Sequence, residues 1–456
     1  MKKSIILAAM AALALSASAE GYQVNTFSSK QLGMGHAGVA MKLGAESILF
    51  NPGALAMSDK TFELSGSITA ISADAWAKSN GVKYETDNDI STPMNISSAF
   101  KIYDNFYGGI TLFTPYGSGI NWGEHWPGAV LNQNVKIKVF TVQPTVSWRP
   151  LKNLSVGAGL MINWGSVDLS KALLTGASLN PLLKAMGMPD EAMYPSEAAP
   201  ASVNLKGTSN LALGFSVGAL WDINKQWSLG LSFRSRSLLT VEKGDARVSY
   251  SGAAEEMLTP ILDNLNNTNF RASLPAPYVL TLGTAFKPID NVTIALDVQL
   301  NGWKTYKSLN IEFDDLEDFN QSLTKNYKNC LTYHVGAQWG VTQRCDLRCG
   351  LMIDTNPCDK NFYNPETPGQ LRIEPSVGLS FRPMKNLSID LAFMYVHGCG
   401  TDNATGVYDN LVYKVATAAQ MTPEMLNALG IKPQGSFTAD YKVRAYMPSF
   451  GLSYSF

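Results

Sequence analysis

The chain is poor in charge and in residues that hold metals. Asp, Glu, Lys and Arg make up 16% of its 456 residues, below the roughly 25% usual in soluble domains. The formal net charge is -1, which gives no bulk attraction to nucleic acid or anionic lipid. Four histidines, His36, His125, His334 and His397, show no metal spacing, and no Ser-His-acid set assembles around them. The five cysteines all lie in the last third and form no CxxC motif. Cys345 and Cys349 fall four apart on one strand, about 13 Å at strand rise and too far to bridge each other. Cys358 and Cys399 fall in loops and could pair. Beyond the first 20 residues no run approaches 18 apolar residues, which excludes a helical membrane protein. No metal, cofactor or catalytic site is expected.

What is present begins with an export signal. Lys2 and Lys3 precede the apolar run Ile5 to Leu15, and Ala17-Ser18-Ala19 follows. A basic start, a short apolar stretch and an A-x-A site describe a secretory signal peptide over 1–19. From Phe62 onward, alternation with a period of two dominates. In "NLSVGAGLMINWG" one face carries Leu154, Val156, Ala158, Leu160, Ile162 and Trp164, and the other Ser155, Gly157, Gly159, Met161 and Asn163. In "WSLGLSFRSR" the apolar face is Trp227, Leu229, Leu231 and Phe233, opposite Ser232, Arg234 and Arg236. The last strand places Phe450, Leu452, Tyr454 and Phe456 together. Strands of about ten residues with one apolar and one small or polar face suit a barrel with lipid outside and a polar lumen.

The connections alternate between short and long. Six are tight, around Asp104-Asn105, Leu151-Lys152-Asn153, Asn224-Lys225-Gln226, Ile289-Asp290-Asn291, Thr342-Gln343-Arg344 and Met384-Lys385-Asn386. Seven are longer: 77–90, 116–134, 169–203, 247–271, 310–328, 355–371 and 398–437. Together they predict an all-β, 14-stranded antiparallel transmembrane barrel over 60–456, with short periplasmic turns and both termini periplasmic. The Gly- and Ala-rich segment 20–59 does not alternate, and a lumen of this width leaks unless filled. It is therefore expected to be a plug. Its "GMGHAG" matches a dinucleotide-binding pattern, but no strand precedes it in a βαβ unit, so close packing of glycines inside the wall is the better reading.

Three further stretches draw attention. "ILFNPGALA" buries an Asn-Pro-Gly turn, Asn51-Pro52-Gly53, among apolar residues. "LFTPYGSG" puts Pro115 and Tyr116 near the outer end of the third strand, where a residue without an N–H marks an edge, bulge or end. Two long loops are unusually apolar with helical spacing. One carries Leu173, Leu174, Leu182, Leu183 and Met186, and the other Leu258, Ile261 and Leu262. They suit a mutually packed cap, an apolar landing site for ligands, or both.

The stretches "GYQVNTFSSKQLGMGHAGVA", "NPGAL", "LFTPYG", "LALGFSVGALWDINKQWSLGLSFRSR" and "LPAPYVLTLGTAFKPIDNVTIALDVQLNGWKTYKSLNIEF", in this order, resemble the FadL/TodX-type outer-membrane transporters. The resemblance implies an N-terminal hatch, two outer capture loops, an internal site and a lateral opening at a kink in the third strand. It places the Asn51-Pro52-Gly53 motif beside that kink, as a latch. Fatty-acid carriers of this type hold the carboxylate with basic lumen residues, one an arginine on the fifth strand. Here no arginine lies between Arg149 and Arg234, which leaves Lys171, Arg234 and Arg236 as candidate carboxylate partners and neutral compounds equally open as ligands.

The expected function is passive uptake of hydrophobic molecules, long-chain fatty acids or neutral hydrocarbons, by loop capture, lumen binding and lateral exit. The alternatives are a pore for small polar solutes, based on Asp297, Arg234 and Arg236, and a surface adhesion or assembly barrel. The expected partners are a hydrophobic ligand, outer-membrane lipids and, through the final strand ending in Phe456, the barrel-assembly machinery. A monomer is expected.

Overall fold

The computed structural model describes residues 21–314, 316–418 and 420–456. The expected signal peptide lies outside them. Fourteen wall strands follow in chain order, several interrupted part-way. They are β1 (Phe62–Thr69, Ser72–Ser79), β2 (Val82–Glu85, Met94–Tyr103), β3 (Phe106–Asn121), β4 (Asn134–Leu151) and β5 (Leu154–Leu174). Next come β6 (Ala201–Thr208, Ala212–Asp222), β7 (Trp227–Arg234, Ser237–Tyr250), β8 (Asn269–Ala276, Val279–Ile289) and β9 (Val292–Asn301, Ser308–Phe313). The ring ends with β10 (Gln321–Thr324, Cys330–Thr342), β11 (Cys345–Asp354), β12 (Arg372–Met384), β13 (Leu387–Gly398, Thr401–Asp409) and β14 (Gln434–Ser455). Each pairs antiparallel with its neighbour, and β1 returns to β14 from Glu63↔Ser455 to Thr69↔Ser449. All six tight turns fall where the sequence puts them. Six of the seven long connections are shorter than expected, because strands such as β13 and β14 continue beyond the wall as paired hairpins, and 355–371 keeps its expected length.

Alternation sets which face looks outward. Leu160, Leu231, Phe450 and Leu452 are exposed, whereas Ser155, Asn163, Ser232 and Ser449, an odd number of positions away on the same strands, are buried. Tyr103, Trp148, Trp221, Trp227, Trp339, Phe381 and Tyr454 are exposed near the short-turn end. That ring of aromatics is the girdle a barrel presents at a membrane interface.

Residues 21–57 are almost wholly buried and lie inside the ring. Their contacts run around the wall. Asn95 of β2 donates to Phe27 O, and Gln143 of β4 donates to Ile48 O at 3.3 Å. Asp297 of β9 accepts from Gly38 and Val39 N–H at 2.7 and 3.0 Å. Ser376 of β12 accepts from Gly35 N–H at 3.0 Å, and Ser449 of β14 lies 2.6 Å from Ser29 Oγ. Glycine permits the approach: a Cβ on Gly350 would collide with Gly35, itself at φ +62°. The "GMGHAG" stretch is thus a packing surface. All five cysteines are free, Cys358 and Cys399 included.

Outer loops 169–203 and 247–271 carry helices α1 (Gly176–Ala185) and α2 (Ala253–Leu262). Thr175 and Ser178 form a capping box that starts α1. Leu174, Leu179, Leu182 and Leu183 join Leu258, Leu262 and Leu265 in one buried cluster continuous with lumen residues Leu205 and Phe313.

Candidate functional site

The wall is interrupted at β3. Opposite β4 the register shifts between Phe113 and Tyr116, so that Thr114 and Pro115 bulge. Pro115 cannot donate to a ladder, and such a residue belongs at a bulge. Toward β2 the ladder stops at Asn95↔Phe113. Backbone from the N-terminal segment occupies the edge that β2 leaves. Val24 N–H donates to Pro115 O, and Gly117 N–H donates to Tyr22 O, each at 2.9 Å. A cavity of about 530 Å³ opens at this seam. Ile68, Ile90 and Met94 line it at the outward face, and Met352, Glu374 and Met447 line its inner end.

Two more cavities continue from it. A narrow inner pocket of about 50 Å³ is lined by Val135, Leu169, Leu239, Phe270, Leu274 and Ile311, with Tyr22, Tyr306, Glu366 and Thr367 at its polar end. It shares Ile137, Val139 and Thr367 with the side cavity. Under the outer loops, a cavity of about 280 Å³ includes Leu131, Lys171, Leu173, Leu265 and Phe313, and shares Leu205 with the inner pocket. The three therefore stand in series. Another cavity, of about 830 Å³, lies beyond the N-terminal segment among the short turns and shares no lining residue with them.

Asn51 is fully buried, but its bonds do not go to the β3 interruption. Its Nδ2 donates to Val39 O at 2.8 Å and to Ala219 O of β6 at 2.9 Å, and its Oδ1 accepts from Gly53 N–H at 3.0 Å. Asn51 caps the short 3-10 helix Pro52–Met57, with Pro52 in the first position, where a missing N–H costs nothing. Gly157 and Gly218 of the wall leave room for this turn, since a Cβ on either would strike Pro52 or Asn51. The placement beside the kink implied by the resemblance is thus corrected. Tyr22 and Val24 satisfy the interrupted edge, and the turn reaches the interruption only indirectly, through Leu49 and Phe50 in a cluster with Phe27 and Phe113.

The candidate carboxylate partners separate. Arg234 is buried, donates to Leu49 O at 3.0 Å and lies over the Phe27 and Phe113 rings at 5.1 and 5.5 Å. It holds the N-terminal segment and faces no cavity described above. Arg236 does not face inward as alternation suggests. The break in β7 at Ser235 and Arg236 resets the parity, and Arg236 is exposed. Lys171 alone lines a ligand-sized cavity, where its ammonium bonds Gln321. Of the apolar loop residues, Leu173 lines the outer cavity, Leu174, Leu182, Leu183, Leu258 and Leu262 pack in the cap, and Met186 is 60% exposed. The Ile261 side chain lies outside the described residues.

Sequence reasoning missed Tyr22, Lys325 and Glu366. Glu366 sits in the loop 355–371, which folds into the barrel and forms a buried ion pair with Lys325. The available signal was "NPETPG", in which Pro365 and Pro368 bracket a single acid. The inward segment also buries His36, whose Nε2 accepts from Phe27 N–H at 3.2 Å and whose ring lies 5.9 Å from that of His334. Burial holds the His36 imidazole well below its ordinary range, with His334 and Arg234 acting in the same direction.

A membrane-facing β-barrel with its own N-terminal segment folded inside and apolar cavities in series defines an outer-membrane transport protein. The chain belongs to the outer membrane protein transport protein family (OMPP1/FadL/TodX), whose family model matches residues 10–456. It lies in the outer membrane. It is 25% identical over 440 residues to an outer membrane protein of Neisseria meningitidis serogroup B, covering 87% of this chain and 90% of that one. It is 21% identical over 421 residues to the long-chain fatty acid transport protein of Escherichia coli O6:H1, covering 87% and 91%. Among solved structures, a Pseudomonas aeruginosa FadL homologue superposes with TM-score 0.77 at 18% identity, covering 96% of this chain and 100% of that one. The Pseudomonas putida toluene transporter TodX superposes with TM-score 0.67 at 14% identity, covering 96% and 99%.

Proposed function

We propose that this protein carries hydrophobic small molecules across the outer membrane by passive diffusion and releases them sideways between β2 and β3. The observation that carries the reading is the series of three cavities, which starts under the apolar loop cap and ends at a seam bordered by lipid-facing Ile68, Ile90 and Met94. Relatives named for long-chain fatty acids and for toluene are consistent with it. A ligand keeps its apolar surface out of water throughout, at about 0.8 kcal/mol per buried methylene. Residues 20–59 act as a hatch that closes the lumen to polar solutes. Lys171 can hold a polar head in the outer cavity. A polar-solute pore loses its support, because Asp297 and Arg234 are committed to the hatch and Arg236 faces away from the lumen.

The seam offers a direct test. A Cβ added to Gly119 would stand 3.3 Å from Ser91 Oγ across it. The pair Ser91→Cys and Gly119→Cys is therefore within reach of a disulfide. Oxidised protein should lose uptake of a hydrophobic probe into cells and recover it with reductant, while each single variant stays near wild type. Full uptake with the staple formed would rule out lateral release at this seam.

A further inference from the structure

The inner pocket is the constriction of the pathway, and its polar end is unusual. Among the described residues of its lining, Glu366 is the one acidic or basic side chain. It comes from an outer loop, not from the wall, and the loop backbone is pinned around it. Trp122 Nε1 donates to Pro365 O at 3.0 Å, Ser118 Oγ donates to Glu366 O at 3.1 Å, and the Tyr327 and Thr367 hydroxyls bond at 2.8 Å. Lys325 supplies the counter-charge from behind. Its ammonium bonds Glu366 Oε1 and lies 5.9 Å from the centre of the Tyr306 ring. The Lys325 side chain has no exposed surface, whereas that of Glu366 keeps 7%. Lys325 lines none of the four cavities described above. A molecule at the constriction meets the acid and not the base.

We infer that Glu366 determines specificity, so that the constriction favours apolar molecules with a hydrogen-bond-donating head group, an alcohol or phenol, over those ending in a carboxylate. This inference rests on the apolar pathway proposed above. A carboxylate offers about four acceptor positions, and Lys325 bonds one of the two oxygens. A ligand hydroxyl can donate to another. A ligand carboxylate can only accept, and it brings a like charge into a site where water does not screen it. Lys171 does not relieve this, because it faces the outer cavity, one step earlier on the route.

The test uses the full-length protein carrying Lys171→Met, which removes the counter-charge of the outer cavity, in detergent at pH 7.5, titrated calorimetrically with 1-decanol, decanoate and decane. Decanol should bind roughly tenfold or more tightly than decanoate, the scale of one hydrogen bond to a charged group. Adding Glu366→Gln together with Lys325→Met, which leaves no lone buried charge, should bring that ratio close to one. Decanoate binding as well as decanol to the Lys171→Met protein, or an unchanged ratio in the triple variant, would overturn the assignment. The Lys171→Met comparison stands even if the triple variant does not fold. Decane separates the two levels of argument: decane binding without a preference for decanol defeats only the role of Glu366. Failure of all three compounds to bind defeats the apolar pathway and this inference with it.

Discussion

Replacing Asn51 with alanine isolates the docking of the inward N-terminal segment from the integrity of the wall. The side chain has no exposed surface and makes three hydrogen bonds, to Val39 O, Ala219 O and Gly53 N–H. Asn51→Ala removes three buried hydrogen bonds, at about 1 kcal/mol each, or roughly 3 kcal/mol in total. If only the docked state carries these bonds, the undocked population rises by about a hundredfold, since 1.4 kcal/mol corresponds to a factor of ten. The wall should be untouched, because Asn51 bonds it only at the Ala219 carbonyl and contributes to no strand ladder. Hydrogen exchange over 21–57 should therefore accelerate by about two orders of magnitude while exchange in β10 to β14 stays the same. Planar-bilayer recordings should show brief openings absent from the wild type. Wild-type exchange over 21–57 would refute the argument, because three buried hydrogen bonds would then contribute nothing to docking.

Two further outcomes follow from the loops and the buried imidazole. Deleting 176–188 removes α1 but leaves β5 intact, so the barrel should form while binding of a hydrophobic probe weakens severalfold, measured by titration in detergent. Unchanged binding would remove the capture role of this loop. Acidification should loosen the docking of the inward segment. His36 is held neutral in the docked state and accepts from Phe27 N–H, so the undocked state binds more protons below the ordinary histidine pKa of about 6.5. Docking is fully stable above that pH and is lost progressively as pH falls. Hydrogen exchange over 21–57 should speed up from about pH 6.5 downward, and His36→Gln should flatten the profile.

The wall was legible because a strand carries its environment in every second residue. Leu229 and Leu231 beside Gly230 and Ser232 declare lipid on one side and packed interior on the other without help from elsewhere in the chain. Legibility ended where strict alternation ended. Arg236 sits in an interruption that shifts the face of everything beyond Arg234, and nothing local marks the break. The partner of Asn51 was beyond reach for a different reason. A turn declares its own geometry through Asn, Pro and Gly, but not which of fourteen strands will receive it. Glu366 and Lys325 lie in separate connections that read as ordinary loops, and only the infolding of 355–371 makes a pair of them. The apolar loops were recognised, but most of their leucines serve the cap, and Leu173 is the one of those named that faces the cavity.

The inward segment bonds to wall strands from β2 round to β14, and this imposes an order of assembly. The residues synthesised first have partners that arrive last, since Ser29 waits for Ser449 and Gly35 for Ser376. Such non-local pairings form slowly, because long loops must close before any contact compensates for the lost chain entropy. Until the last strands are in place, the segment cannot make all of its bonds. A chain stopped before β14 would leave Leu32 without Ala445 and Met447 of its cluster, apolar surface open to aggregation.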